Sequence, residues 1–106
     1  MVEFEIHFNN DSFSRVVLDG REYYLRTTYN TQHDFWTFGV WSSFDELLYA
    51  VKLVPGIPLN KYVYAENAPK GLFYCFCAEK QVTRRAVRDK AAYMVYVSPG
   101  EDLPEV

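Results

Sequence analysis

A chain of 106 residues, 49% of them hydrophobic, can bury one core but is too short for two. Its net charge of −3 and isoelectric point near 5.3 argue against general affinity for nucleic acid. No apolar run approaches the roughly 18 residues that a membrane-spanning helix needs, and the acidic, alternating start is unlike a secretion signal.

Residues 2–8 alternate without a break. Val2, Phe4, Ile6 and Phe8 face one way and Glu3, Glu5 and His7 the other, the pattern of a half-buried strand. Asn9-Asn10-Asp11-Ser12 is turn chemistry, because Asn and Asp bond their own backbone and tolerate left-handed conformations. Asp19-Gly20 is the strongest local signal: a two-residue type I′ turn needs positive φ at both central positions. That turn sets residues 13–18 against 21–30, with Val16 opposite Tyr23 and Leu18 opposite Arg21. One face of the hairpin then carries Val16, Leu18, Tyr23, Leu25 and Tyr29. The other carries Arg15, Glu22, Tyr24 and Arg26.

A polar connection over residues 30–34 leads into Phe35-Trp36-Thr37-Phe38 and on to Trp41, a strand buried on both faces or exposed to a partner on one. Residues 44–54 admit two readings. Phe44, Leu47, Leu48 and Val51 fit the helical i, i+3, i+4, i+7 spacing, and Ser43-x-x-Glu46 has the form of a capping box. The same stretch also reads as a strand entered through a turn at Asp45-Glu46.

Pro55 and Pro58 make residues 54–59 an extended, rigid crossing, since each proline removes a donor and restricts its neighbour. Pro69-Lys70-Gly71 is a turn. Residues 72–79 form a strand with Leu72, Tyr74 and Phe76 opposite Phe73, Cys75 and Cys77. Residues 81–90 are a polar loop with a helical turn near Ala86-Val87, and residues 91–97 are the last strand. The pattern implies an antiparallel all-β fold, a small β-barrel or two-layer sandwich of about six or seven strands. Its core should hold Phe4, Ile6, Val16, Leu18, Tyr23, Leu25, Trp36, Phe38, Phe76 and Val95. Residues 1–98 form the single domain, and 99–106 a flexible acidic tail.

Catalytic chemistry finds little support. His7 and His33 have no local partner that would make either a general base. No nucleophile elbow, zinc-protease helix or phosphate loop occurs. Cys75 and Cys77, two apart in a strand, are poorly placed for a disulfide and too few for a zinc site, which suits a protein folded in a reducing cytosol. The chain reads as non-enzymatic, with no cofactor.

Binding is better supported. Lys80, Arg84, Arg85, Arg88 and Lys90 crowd one stretch and should project from one end of the domain as a docking patch for an acidic protein surface. Tyr24, Tyr62 and Tyr64 are candidate aromatic contacts. With Arg15, Arg26, Arg84 and Arg85 they could instead line a groove for single-stranded nucleic acid. Trp36 and Trp41 could serve a sugar or small-ligand module.

The order of motifs resembles a family. Phe13, Leu18-Asp19-Gly20, Tyr23-x-Leu25-Arg26, Tyr29-Asn30 and Trp36 resemble the opening of the small baseplate plug proteins of contractile-tailed bacteriophages, of the cyanophage type. Lys52-Leu53-Val54-Pro55-Gly56-x-Pro58-Leu59, Pro69-x-Gly71-Leu72 and Tyr93-Met94-Val95-Tyr96-Val97 are similar to the rest. The likeness implies a virion structural protein at the tail tip, assembled in the host cytoplasm. It would pack against hub, tail-tube or tape-measure proteins, as a homotrimer or homohexamer and without catalytic residues. It also favours a turn followed by a strand over residues 44–54.

Overall fold

Two antiparallel sheets share one core. The computed structural model describes residues 2–8, 11–43, 45–61, 63 and 67–100. The larger sheet is a meander of four strands in sequence order, β2 (Asp11–Leu18), β3 (Arg21–Asn30), β4 (Phe35–Ser43) and β5 (Glu46–Lys52). The smaller has the order β1-β7-β6, with β1 (Val2–Glu5), β6 (Leu72–Cys77) and β7 (Ala92–Val97). A short helix, α1 (Arg84–Arg88), lies between β6 and β7. The all-β expectation holds, but the sheets do not close on one another: this is a sandwich and not a barrel.

The β2–β3 hairpin has the register that its turn demands. Val16 faces Tyr23 and Leu18 faces Arg21, while Asp19 and Gly20 take φ of 52° and 80°. The turn is also anchored from the other sheet. The Tyr96 and Ser98 hydroxyls each donate to the Asp19 carboxylate at 2.6 Å, and these bonds hold its carboxyl below the ordinary range. At the far end Asn30 Oδ1 accepts from the amides of Gln32 and His33, which turns the chain into β4.

Residues 46–52 are a strand. β5 pairs with β4, placing Val40 against Tyr49 and Phe38 against Val51, with irregular register around Trp41. The apparent capping box closes a hairpin instead of a helix. Ser43 lies across from Glu46, its hydroxyl donating to Asp45 at 2.7 Å, while the Ser42 hydroxyl donates to Glu46. Helical spacing and an irregular strand both bring Leu48 and Val51 inward, so the sequence pattern alone did not separate them.

Trp36, Phe38, Val40, Tyr23, Leu25 and Leu18 form the inner face of the large sheet, and Phe73, Cys75, Met94 and Tyr96 that of the small one. The layers meet where the Phe38 and Phe73 rings lie 5.0 Å apart, with Tyr96 4.9 Å beyond Phe73. The core expectation needs one correction. Phe76 is only half-buried and lies on the outer face of β6, because Phe73 and Cys75 are turned inward. Val95 is buried as expected, although it pairs with Tyr74 and Glu3 on that outer face.

The first strand is also shorter than expected. It stops at Glu5, which pairs with Tyr93 near the start of β7. Ile6 still turns into the core, but Phe8 is 41% exposed.

The proline-bearing crossing joins the sheets along one side. The Leu53 amide bonds the Trp36 carbonyl, extending the large sheet, while Gly56 and Leu59 donate to the Cys75 and Phe73 carbonyls of the small one. Asn60 completes this side: buried, it accepts from the Phe73 amide and donates to the Gly71 carbonyl. Of the expected acidic tail at 99–106, residues 101–106 lie outside the described residues.

Candidate interaction surfaces

The outward face of the large sheet carries a cluster of apolar side chains among charged ones. Phe13 and Val17 from β2, Tyr24 from β3, Trp41 from β4 and Leu47 from β5 share it. The Phe13 ring stacks on Tyr24 at 5.4 Å and meets Trp41 edge-on at 5.7 Å. Val17 is 59% and Leu47 50% exposed. The ring of Trp41 lies over Gly39, where a Cβ would come within 3.1 Å of its Nε1. That indole N–H is buried with no acceptor among the described residues. Ion pairs frame the patch, Arg26 with Asp11 at 2.6 Å and Arg15 with Glu22 at 3.6 Å.

Of the apolar residues here, the sequence singles out Tyr24 as a partner contact and Trp41 as a sugar or small-ligand candidate. The others were legible in principle, because Phe13 and Val17 have the same parity as the outward-facing Arg15.

The five basic residues are all exposed, on and around α1, and several have partners close by. Thr83 caps α1, its hydroxyl accepting from the Ala86 amide, and Ala86 and Val87 bury the inner side of the helix. Arg84 lies between the rings of Phe8 and Tyr29, at 4.9 and 5.3 Å. Its amide and the Tyr29 hydroxyl both donate to Asp34, which lowers the pKa of that carboxyl. Arg85 and Arg88 both reach Asp89, and Lys90 approaches Glu5 at 3.9 Å. Lys80 lines a separate small cavity with His33 and Lys52. Tyr62 and Tyr64 lie outside the described residues.

The sugar-binding alternative loses its geometry. Trp36 is completely buried, its indole donating to the Thr83 carbonyl at 3.3 Å, and it points to the opposite side of β4 from Trp41. The arginines named for a nucleic-acid groove are likewise divided: Arg15 and Arg26 on the large sheet, Arg84 and Arg85 on the helix, with Arg15, Arg26 and Arg85 in ion pairs. Cys75 is buried and its thiol is pushed up to about 12 by desolvation, the opposite of an activated nucleophile. Both cysteines are free.

Across residues 1–99 the sequence matches the model of the family described as cyanophage baseplate Pam3 plug gp18. The chain belongs to this family. The match spans both sheets and α1, so it covers the whole folded unit described above. No curated protein matches the chain. Membership associates it with the phage baseplate, as the order of its motifs implied. The aromatic outer face and the surroundings of α1 are the features of interest.

Proposed function

We propose that this protein is a non-enzymatic structural component of the tail baseplate that packs against hub, tail-tube or tape-measure subunits. The family match over residues 1–99 carries the reading. The apolar outer face of the large sheet supports it, since large exposed apolar patches rimmed by polar groups mark protein contacts. Tyr24 and Trp41 form the middle of that contact, with the exposed Val17 and Leu47 on the two outer strands and Arg15 and Arg26 beside them. The basic residues Lys80, Arg84, Arg85, Arg88 and Lys90 supply a second, electrostatic contact. Assembly occurs in the host cytoplasm, and the copies in the tail tip form a homotrimer or homohexamer, in keeping with closed cyclic assembly.

The test is complementation of a phage lacking this gene, followed by purification of tails and quantification of the protein. Wild-type protein should co-purify with hub and tube. Val17→Asp with Leu47→Asp should stay folded by circular dichroism and be depleted from tails. Wild-type protein absent from tails, or a double variant incorporated normally, would contradict the reading. Tight, salt-reversible binding to a labelled single strand would favour the nucleic-acid alternative instead.

A further inference from the structure

Charge is divided between two ends of this domain. Five of the chain's eleven Lys and Arg residues stand between 80 and 90, with Asp89 the only acid among them. Residues 101–106 carry Glu101, Asp102 and Glu105 and no base. In a chain of net charge −3 the basic cluster is the exception. Its side chains face solvent: Arg85, Arg88 and Lys90 are 75%, 58% and 80% exposed. Arg85 and Arg88 share the one carboxylate of Asp89, and Lys80 is exposed beside them in sequence. Exposed ion pairs of this kind contribute little and leave the cluster open to further carboxylates.

Strand β3 separates the two groups. The Arg84 amide donates to Asp34, just past the last residue of β3, so α1 sits at that end of the sandwich. The Ser98 hydroxyl donates to Asp19, just before the first residue of β3, so the chain leaves β7 at the other end. The ten residues of β3 span about 30 Å. Asp102 follows Ser98 by four residues and can lie no more than about 14 Å from it, roughly half that span. Pro99 and Gly100 turn the chain, with Gly100 at φ 84°, which shortens the reach further. The acids after Gly100 are thus better placed for the α1 surface of another copy than for their own.

We propose that residues 101–106 of one copy dock on the α1 surface of the next, joining copies head to tail. This rests on the baseplate reading above and names the partner in its electrostatic contact as a second copy of this chain. The three carboxylates meet Arg85, Arg88, Lys80 and Lys90, while Arg84 stays between the rings of Phe8 and Tyr29. A head-to-tail contact uses two different surfaces of each copy, and such contacts close into rings where the rotation allows.

Charge reversal at each end, and then at both, tests this in the complementation assay. Arg85→Glu with Arg88→Glu sets like charges against each other and should deplete the protein from tails about tenfold or more. Glu101→Lys with Asp102→Lys should do the same. All four substitutions in one chain keep the wild-type net charge and should restore incorporation, because each copy then carries exchanged signs at both ends. Normal incorporation of either reversed pair would overturn the proposal, and so would a fourfold variant as depleted as its parents, which would point to a different acidic subunit. Carbodiimide, which joins carboxylates to amines, decides on wild-type tails even if a variant fails to fold. Lys80 or Lys90 should be linked to residues 101–106 in a band with the mass of two copies. Such links confined to the single-chain band, or none at all, refute docking between copies. Wild-type protein missing from tails is a separate failure, that of the baseplate reading, and takes this proposal with it.

Discussion

The four-stranded sheet is assembled from neighbours in sequence, whereas the three-stranded sheet joins distant segments. Each step from β2 to β5 is a hairpin closed by a short turn, but β1 pairs Val2 with Tyr96. Closing so long a loop costs more entropy than closing a hairpin, and only burial of a shared core recovers it. The small sheet therefore depends on the large one for its inner contacts, through Phe38 against Phe73 and through Tyr96 at the Asp19 turn.

The largest expected effects come from the junction between the sheets. Phe38→Ala and Phe73→Ala should each destabilise by about 3–5 kcal/mol in urea unfolding, and the double variant by less than their sum, because the rings touch. Hydrogen exchange sharpens the comparison. If the sheets form one cooperative unit, Phe73→Ala weakens protection in both; loss confined to residues 72–97 would show the large sheet standing alone.

Two glycines probe the two regions by different physics. A Cβ on Gly71 would lie 2.2 Å from the Val97 carbonyl oxygen and 2.6 Å from the Tyr96 ring. Gly71→Ala should cost about 3 kcal/mol, since backbone and a buried ring must both shift. Gly20 has open space around it but a φ of 80°, so Gly20→Ala should cost only about 1–2 kcal/mol, the left-handed penalty. Paired thermal melts would rank them, and a reversed order would refute the close-approach argument.

The Asp19 link between the regions should show itself in acid. Its carboxyl pKa is lowered in the fold by the Ser98 and Tyr96 hydroxyls. A carboxylate with a depressed folded pKa stabilises above its unfolded value and loses that contribution as pH falls through the folded one. Asp19→Asn should therefore flatten the loss of stability below about pH 4, where an unperturbed Asp titrates. At neutral pH it should cost about 1–2 kcal/mol through weakened hydrogen bonds. An unchanged acid limb in urea titrations would remove the link.

The smallest effect separates two adjacent arginines. Arg84 lies over two rings and Arg85 makes an exposed pair with Asp89. Arg84→Glu should cost about 1 kcal/mol, and Arg85→Glu about 0.5 kcal/mol or less. Thermal shifts of equal size would mean that the ring contacts contribute nothing.

Much of the large sheet was legible because its determinants are local. Asp19-Gly20 can take the two positive φ values a type I′ turn requires, and parity then placed Val16, Leu18, Tyr23 and Leu25 on one face and Arg15, Glu22, Tyr24 and Arg26 on the other. The aromatic patch was half visible: Tyr24 was placed outward, but a patch exists only when Trp41 and Leu47 arrive from other strands. The basic residues were visible as a cluster in sequence. Their division among Asp89, Glu5 and the rings of Phe8 and Tyr29 was not, since each partner except Asp89 comes from a distant segment.

Local chemistry thus determined the hairpin, the proline crossing and the all-β character, because turn geometry and residue alternation act within a few residues. Tertiary packing decided the rest. In β6 both faces are apolar, so alternation could not say whether Phe73 or Phe76 turns inward, and contact with Phe38 made the choice. In residues 46–52 two periodicities were compatible with the same leucines and valine, and pairing with β4 selected the strand. The separation of β1 from β2 is likewise a tertiary outcome, since strands close in sequence were free to pair and instead ended different sheets.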